Sequence, residues 1–191
     1  MKKLKSLFTA ITLFGALTSN SFAAEKYSFE PSHSGITWSA NHFGFSNPSG
    51  KFTDVAGTII FDEKNPQKSS VEVTIGLASV STGLPKFDEH LRSKDFFDVT
   101  NFPKAKFVSK KIVVTDKNKA KITGDLTLLK ITKPVTLDVT FNKSGVNPIN
   151  QKQSIGFSAT TVITRSEFGI NYAIPGVSDQ VNITIEAEAN R

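Results

Sequence analysis

From Gly35 to the C-terminus, apolar side chains return at every second position in one run after another. That period of two restricts the chain to extended strands, each with one apolar face and one wet face. In the first clear run Ile36, Trp38, Ala40 and His42 point one way, while Thr37, Ser39 and Asn41 point the other. The apolar sides of the following runs are Gly57, Ile59 and Phe61; Val71, Val73 and Ile75; and Ala105, Phe107 and Ser109. Then come Ala120, Ile122, Gly124, Leu126 and Leu128; Val135, Leu137, Val139 and Phe141; Ile155, Phe157, Ala159, Thr161 and Ile163; and Val181, Ile183, Ile185 and Ala187. Turn residues separate the runs at Asn47-Pro48-Ser49-Gly50, Asn65-Pro66, Asp116-Lys117-Asn118, Asn142-Lys143-Ser144-Gly145 and Asn147-Pro148. One stretch departs from the rhythm. Between Leu84 and Phe97 the spacing of Leu84, Phe87, Leu91 and Phe96 fits a short helix, and Pro103 restarts extended chain.

The pattern predicts an all-β domain of about eight strands joined by short links, with one short helix between strands. An antiparallel up-and-down barrel removes the exposed edges such a meander would otherwise carry. A two-sheet sandwich satisfies the same alternation and stays open at this point. An eight-stranded barrel is just wide enough to be filled by its own side chains or to hold one small ligand. Small inward residues on several strands (Ala40, Gly57, Ala105, Ser109, Gly124 and Ala159) favour a hollow interior, although they equally suit relief of crowding or bulges. A hollow apolar lumen favours an elongated apolar ligand, since each buried methylene contributes about 0.8 kcal/mol.

Residues 1–23 read as a secretory signal peptide. Lys2, Lys3 and Lys5 precede an apolar run from Leu7 to Leu17, and Ser21-Phe22-Ala23 supplies the small residues of a cleavage site. The run is too short for a membrane span and no second one follows, so no transmembrane segment is expected. The leader holds three positive charges of a net +6, which leaves residues 24–191 a mildly basic single domain with scattered lysines and no nucleic-acid face. The absence of cysteine excludes disulfides, thiolate metal sites, a cysteine nucleophile and a lipid-modified cysteine. Export without cysteine fits the periplasm of a Gram-negative cell.

A family resemblance is carried by an ordered set of short motifs. Pro31-Ser32-His33-Ser34-Gly35-Ile36 and Asn41-His42-Phe43-Gly44 open it, followed by Ser79-Val80-Ser81-Thr82-Gly83 and Asp88-Glu89-His90-Leu91-Arg92-Ser93-Lys94-Asp95-Phe96-Phe97-Asp98. Gly124-Asp125-Leu126-Thr127, Thr132-Lys133-Pro134-Val135-Thr136-Leu137 and Ile163-Thr164-Arg165-Ser166-Glu167-Phe168-Gly169-Ile170 continue it. The chain resembles the YceI-like family over essentially all of residues 24–191. The resemblance implies a lipocalin-like eight-stranded barrel of the periplasm that holds a polyisoprenoid or other long-chain amphiphilic lipid. It also marks a departure, because the family's usual glycine before the Ile-Thr-Lys-Pro step is Lys130 here.

Pattern and resemblance together nominate the ligand-contacting residues. On the strands these are Trp38, Ala40, His42, Phe52, Val73, Ile75 and Phe107, then Ile122, Leu126, Leu137, Phe157 and Ala159. In the helical stretch they are Leu84, Phe87, His90, Leu91 and Phe96, and at the mouth Phe45, Arg165 and Phe168. His42 suits either a hydrogen bond to a ligand head group or a core position satisfied by backbone. Arg165 suits a pyrophosphate head or an ion pair with Asp88, Asp95 or Glu167. No nucleophile elbow, phosphate loop or metal-spaced cluster occurs, so no catalytic residue, metal or cofactor is expected. Two other classes stay in view: a hydrolase acting on a lumen-bound ester or amide through His42 or His90, and a stress-response protein with a solid barrel. A homodimer is also compatible with such a small β domain.

Overall fold

The computed structural model describes residues 24–191, so the proposed leader lies outside the described residues. The alternating runs form eleven strand segments: β1 (Glu25–Phe29), β2 (Gly35–His42), β3 (Ser49–Phe52), β4 (Val55–Phe61), β5 (Ser70–Gly76), β6 (Val80–Ser81), β7 (Lys104–Asp116), β8 (Lys119–Leu128), β9 (Ile131–Val146), β10 (Gln153–Thr164) and β11 (Val177–Asn190). All pairings are antiparallel, and β1 pairs with both β4 and β11, which closes the ring. The eleven segments fill eight wall positions. β1 with β2, β3 with β4, and β5 with β6 are each one wall strand interrupted by a short step. The molecule is therefore the up-and-down barrel, and the sandwich is excluded.

The steps are stitched by side chains. Ser79 Oγ accepts the backbone N–H groups of Thr53 (3.1 Å) and Asp54 (3.0 Å) and donates to the Gly76 carbonyl (2.7 Å), so the broken wall leaves these groups satisfied. Beyond the last step, β6 pairs with β3 while β7 pairs with β5. Helix α1 (Pro85–Arg92) connects β6 to β7 at this end and buries Leu91 and Asp88. The β2–β3 loop, the β8–β9 turn and residues 165–176 share this helix end. The β4–β5, β7–β8 and β9–β10 connections share the opposite, hairpin end.

Several local features differ from the sequence reading. β1, β3 and β6 were not anticipated, because runs of five, four and two residues are too short to stand out, and β3 takes Ser49 and Gly50 from the expected turn. On β7 the pairing slips between Ser109 and Lys111, so the inward set changes parity from Ala105 and Phe107 to Ile112 and Val114. Ser109 is thus not a lumen position; its hydroxyl accepts the Val71 N–H at 2.9 Å. The turn expected at Asn142–Gly145 is strand. Phe141 pairs with Phe157 and Lys143 with Gly156, which leaves Asn142 as an extra residue in a bulge, and the chain reverses only after Val146. At Lys130 the tight turn forms without glycine: Leu129 (φ 49°) and Lys130 (φ 71°) both take left-handed backbone between the paired residues Leu128 and Ile131.

Candidate functional site

The barrel encloses a cavity of about 870 Å³, which excludes a solid interior. Its wall repeats the inward alternation of the strands. Trp38, Ala40 and His42 line it from β2, Phe52 from β3, Val73 and Ile75 from β5, and Phe107 from β7. Ile122 and Leu126 contribute from β8, Leu137 from β9, and Phe157 and Ala159 from β10. Phe87, His90 and Leu91 of α1, with Phe96 just after it, close the helix end, and Arg165 also reaches the wall there.

The small residues do not create this space in the simple way the sequence suggests. At Gly124 an added Cβ would lie 2.5 Å from Phe107 Cζ, at Gly57 3.0 Å from the Phe29 ring, and at Gly50 2.7 Å from the Trp38 indole. Each ring covers a glycine on the adjacent wall strand. These three aromatic groups consequently lie along the wall rather than across the lumen, and glycine is required there by the close ring together with the backbone carbonyls of Val108 at Gly124 and Glu72 at Gly57. Ala40, Ala105 and Ala159 line the cavity directly.

The hairpin end is half filled. Phe61 stacks on Phe141 at 5.7 Å, and both contact Phe157, at 5.6 and 5.4 Å. β4 and β9 occupy opposite wall positions, so these rings bridge the barrel. On one side of the bridge Tyr27, Ile59, Ile155 and Ala189 form a small packed core. On the other side the cavity continues between Ile112, Val114 and Ala120 towards Lys117, Asn118 and Lys119.

The polar groups near the lumen have distinct duties. Arg165 is buried, yet it holds backbone: Nε donates to the Ser178 carbonyl, Nη1 to Ile170, and Nη2 to Tyr172 and Val177, all within 2.9 to 3.1 Å. It forms no ion pair with Asp88, Asp95 or Glu167, and four of its hydrogen bonds go to carbonyls. Arg92 is used likewise, on the carbonyls of Ala78 and Val80 at 2.8 Å. His42 is not a core histidine. It is exposed at the rim, where its ring meets Phe43 edge-on at 4.7 Å. His90 Nε2 lies 3.0 Å from Asp95, and its ring packs at 5.0 Å on both Phe96 and Tyr172. Asp88 accepts from the Thr82 hydroxyl and the Thr82 N–H, each at 2.6 Å, and these bonds hold its carboxyl below the ordinary range. Among the described residues no group of three or more histidines and carboxylates is arranged to hold a metal ion.

Three expected contact residues do not line the cavity. Phe45 is 90% exposed on the β2–β3 loop, and Leu84 is 63% exposed at the start of α1. Their positions at loop apices carry them outward, a property that apolar character alone does not reveal. Phe168 is 1% exposed and packs within the main core cluster without reaching the cavity, because the 3-10 turn Arg165–Phe168 rotates it off the inward face. Sequence reasoning missed Tyr172 and Val177, which come from irregular chain with no periodicity to read. It also missed Ile112 and Val114, hidden by the β7 bulge. Phe61, Phe141, Val181, Ile183 and Ile185 carried the same alternation as the residues that were named.

The family model described as the YceI-like domain matches residues 27–189. The chain belongs to the YceI-like family. A UPF0312 protein of Pseudomonas putida (strain W619) is 38% identical over 189 residues, covering 96% of this chain and 97% of its own. The crystal structure of a Campylobacter jejuni YCEI protein is 31% identical and superposes with a TM-score of 0.71 over 96% of this YceI-like chain and 99% of its own. A domain from Saccharophagus degradans, described as a polyisoprenoid binding domain implicated in plant cell wall breakdown, shares the fold with a TM-score of 0.67. It covers 86% of this chain and 97% of its own at 12% identity.

Proposed function

We propose that this chain is a periplasmic binding protein that holds a long-chain isoprenoid or similar amphiphilic lipid in its lumen, for transport, storage or sequestration. The observation that carries the reading is the apolar cavity of about 870 Å³. At about 30 Å³ per water-sized group, that is room for roughly thirty such groups. Water gains little in a space with so few hydrogen-bonding partners, whereas a hydrocarbon chain gains about 0.8 kcal/mol per buried methylene. Polar and charged side chains stand at the two ends of the lumen, so an amphiphile keeps its head at a rim and its chain inside. Membership of the YceI-like family and the polyisoprenoid-binding description of a protein of the same fold support the ligand class. The leader motif supports the compartment. The reading is non-enzymatic: among the described residues neither the His42 ring nor the His90 ring is hydrogen-bonded to a serine or threonine hydroxyl that it could activate as a nucleophile, His90 meeting Asp95 and His42 lying beside Phe43.

The test is organic extraction of protein purified from the periplasmic fraction, followed by mass spectrometry. A long-chain lipid in near-stoichiometric amount is expected. Trp38 is the single tryptophan and lines the lumen, so its emission is expected to shift when a polyprenol is added to delipidated protein. Lipid-free extracts together with an unmoved emission would overturn the reading.

A further inference from the structure

Four large apolar side chains stand in solvent at the helix end: Phe43 is 56% exposed, Phe45 90%, Leu84 63% and Tyr172 47%. They come from three separate segments, the β2–β3 loop, the residue before α1 and the loop after β10, so only the fold brings them to one face. Phe43 and Tyr172 also line the lumen, and Tyr172 packs on His90 and Phe96 at 5.0 and 5.3 Å. Phe43 and Tyr172 thus join the exposed surface to the cavity wall, with Phe45 and Leu84 exposed at the same end. Phe45 and Leu84 belong to neither core cluster, so their exposure serves no packing within the chain. An exposed apolar patch of this kind marks an interaction surface.

We infer that the helix end docks on a phospholipid bilayer. Phe43, Phe45, Leu84 and Tyr172 enter the interfacial layer, and the lumen then opens into lipid, so that an apolar chain passes without crossing water. This rests on the reading of the lumen as a lipid site. Aromatic rings favour the headgroup level, and shallow burial of a few apolar side chains gives reversible attachment. On the α1 segment exposed Lys86 and Lys94 are balanced by exposed Glu89 and Asp95, while Lys104 and Lys130 add exposed positive charge at the same end and Glu167 a negative one. Ile149, also 90% exposed, lies on the β9–β10 connection at the opposite end and does not line the lumen.

The experiment is flotation of residues 24–191 with vesicles of phosphatidylethanolamine and phosphatidylglycerol, alongside sedimentation for oligomeric state and Nile red uptake for lumen binding. Wild-type protein is expected to float. Phe45→Asp and Leu84→Asp are each expected to lower the bound fraction about tenfold, with Nile red uptake unchanged, while Ile149→Asp floats as wild type. Wild-type protein that stays unbound, or patch variants that float like it, overturn the docking role. A patch variant that turns a dimer into a monomer without changing flotation assigns the face to a second copy and overturns it equally. Failure of the wild type to take up dye sinks the lumen reading itself, and the docking role with it.

Discussion

Arg165 illustrates how little a residue type says before its partners are known. A guanidinium near an apolar cavity invites an anionic head group, yet here it draws together β11 and the 165–176 segment through four carbonyls. Lysine cannot reproduce that planar fork. Arg165→Lys and Arg165→Ala are both expected to lower stability by roughly 3–5 kcal/mol in chemical denaturation, because buried carbonyls lose their donors. Lumen binding per folded molecule should stay unchanged in the lysine variant. A lysine variant as stable as wild type, with altered preference for anionic lipids, would return Arg165 to the role of head-group ligand. The rings laid over Gly50, Gly57 and Gly124 make the complementary point, since here the smallest residue is set by the largest side chain beside it.

At the scale of elements, two carboxylates fasten the segments that close the helix end. Asp88 anchors α1 to Thr82, and Asp179 accepts from the Ser166 hydroxyl (2.6 Å) and N–H (2.8 Å), tying the turn after β10 to β11. Both carboxyls are held below their ordinary value of 3.8, chiefly by the side-chain hydrogen bonds from Thr82 and Ser166. The folded pKa lies below the unfolded one, so the unfolded chain takes up protons first on acidification. The stabilisation is complete above the unfolded value and is lost as pH falls through the folded value. Thermal melts of Asp88→Asn and Asp179→Asn should therefore lie below wild type at neutral pH and converge on it in acid. A gap that persists unchanged into strong acid would assign the loss to packing. The broken wall strands follow similar logic, with Ser79 satisfying the groups that the β3–β4 and β5–β6 steps release.

At the scale of the molecule, an empty lumen is a liability that a ligand removes. A ligand that binds only the folded state stabilises it by RT ln(1 + [L]/Kd), or about 2.7 kcal/mol at a hundredfold excess over Kd. Delipidated protein is expected to melt several degrees below protein as purified and to regain the difference on addition of a polyprenol. Identical melting of the two forms would mean that the cavity is dispensable to the fold and unused. The Phe61, Phe141 and Phe157 bridge gives the molecule polarity: one end is half packed, and the other is covered by a helix and rimmed with aromatics.

The period-two alternation determined most of the strands and of the lumen wall, because side-chain direction in a strand follows from position alone. The short helix came from the spacing that breaks this rhythm, and the pairing of β1 with both β4 and β11 decided the barrel over the sandwich. Trp38, Ile122 and Phe157 were legible from the alternation. Ile112 and Val114 were not, since one bulge reverses the inward face and only the paired strand reveals it. Phe45, Leu84 and Phe168 show the same limit in loops and turns, where apolar character states a preference and the backbone path decides the direction. Tertiary structure alone settled whether the barrel is hollow. The volume left inside depends on rings folding sideways over glycines of neighbouring strands, a relation between residues far apart in the chain.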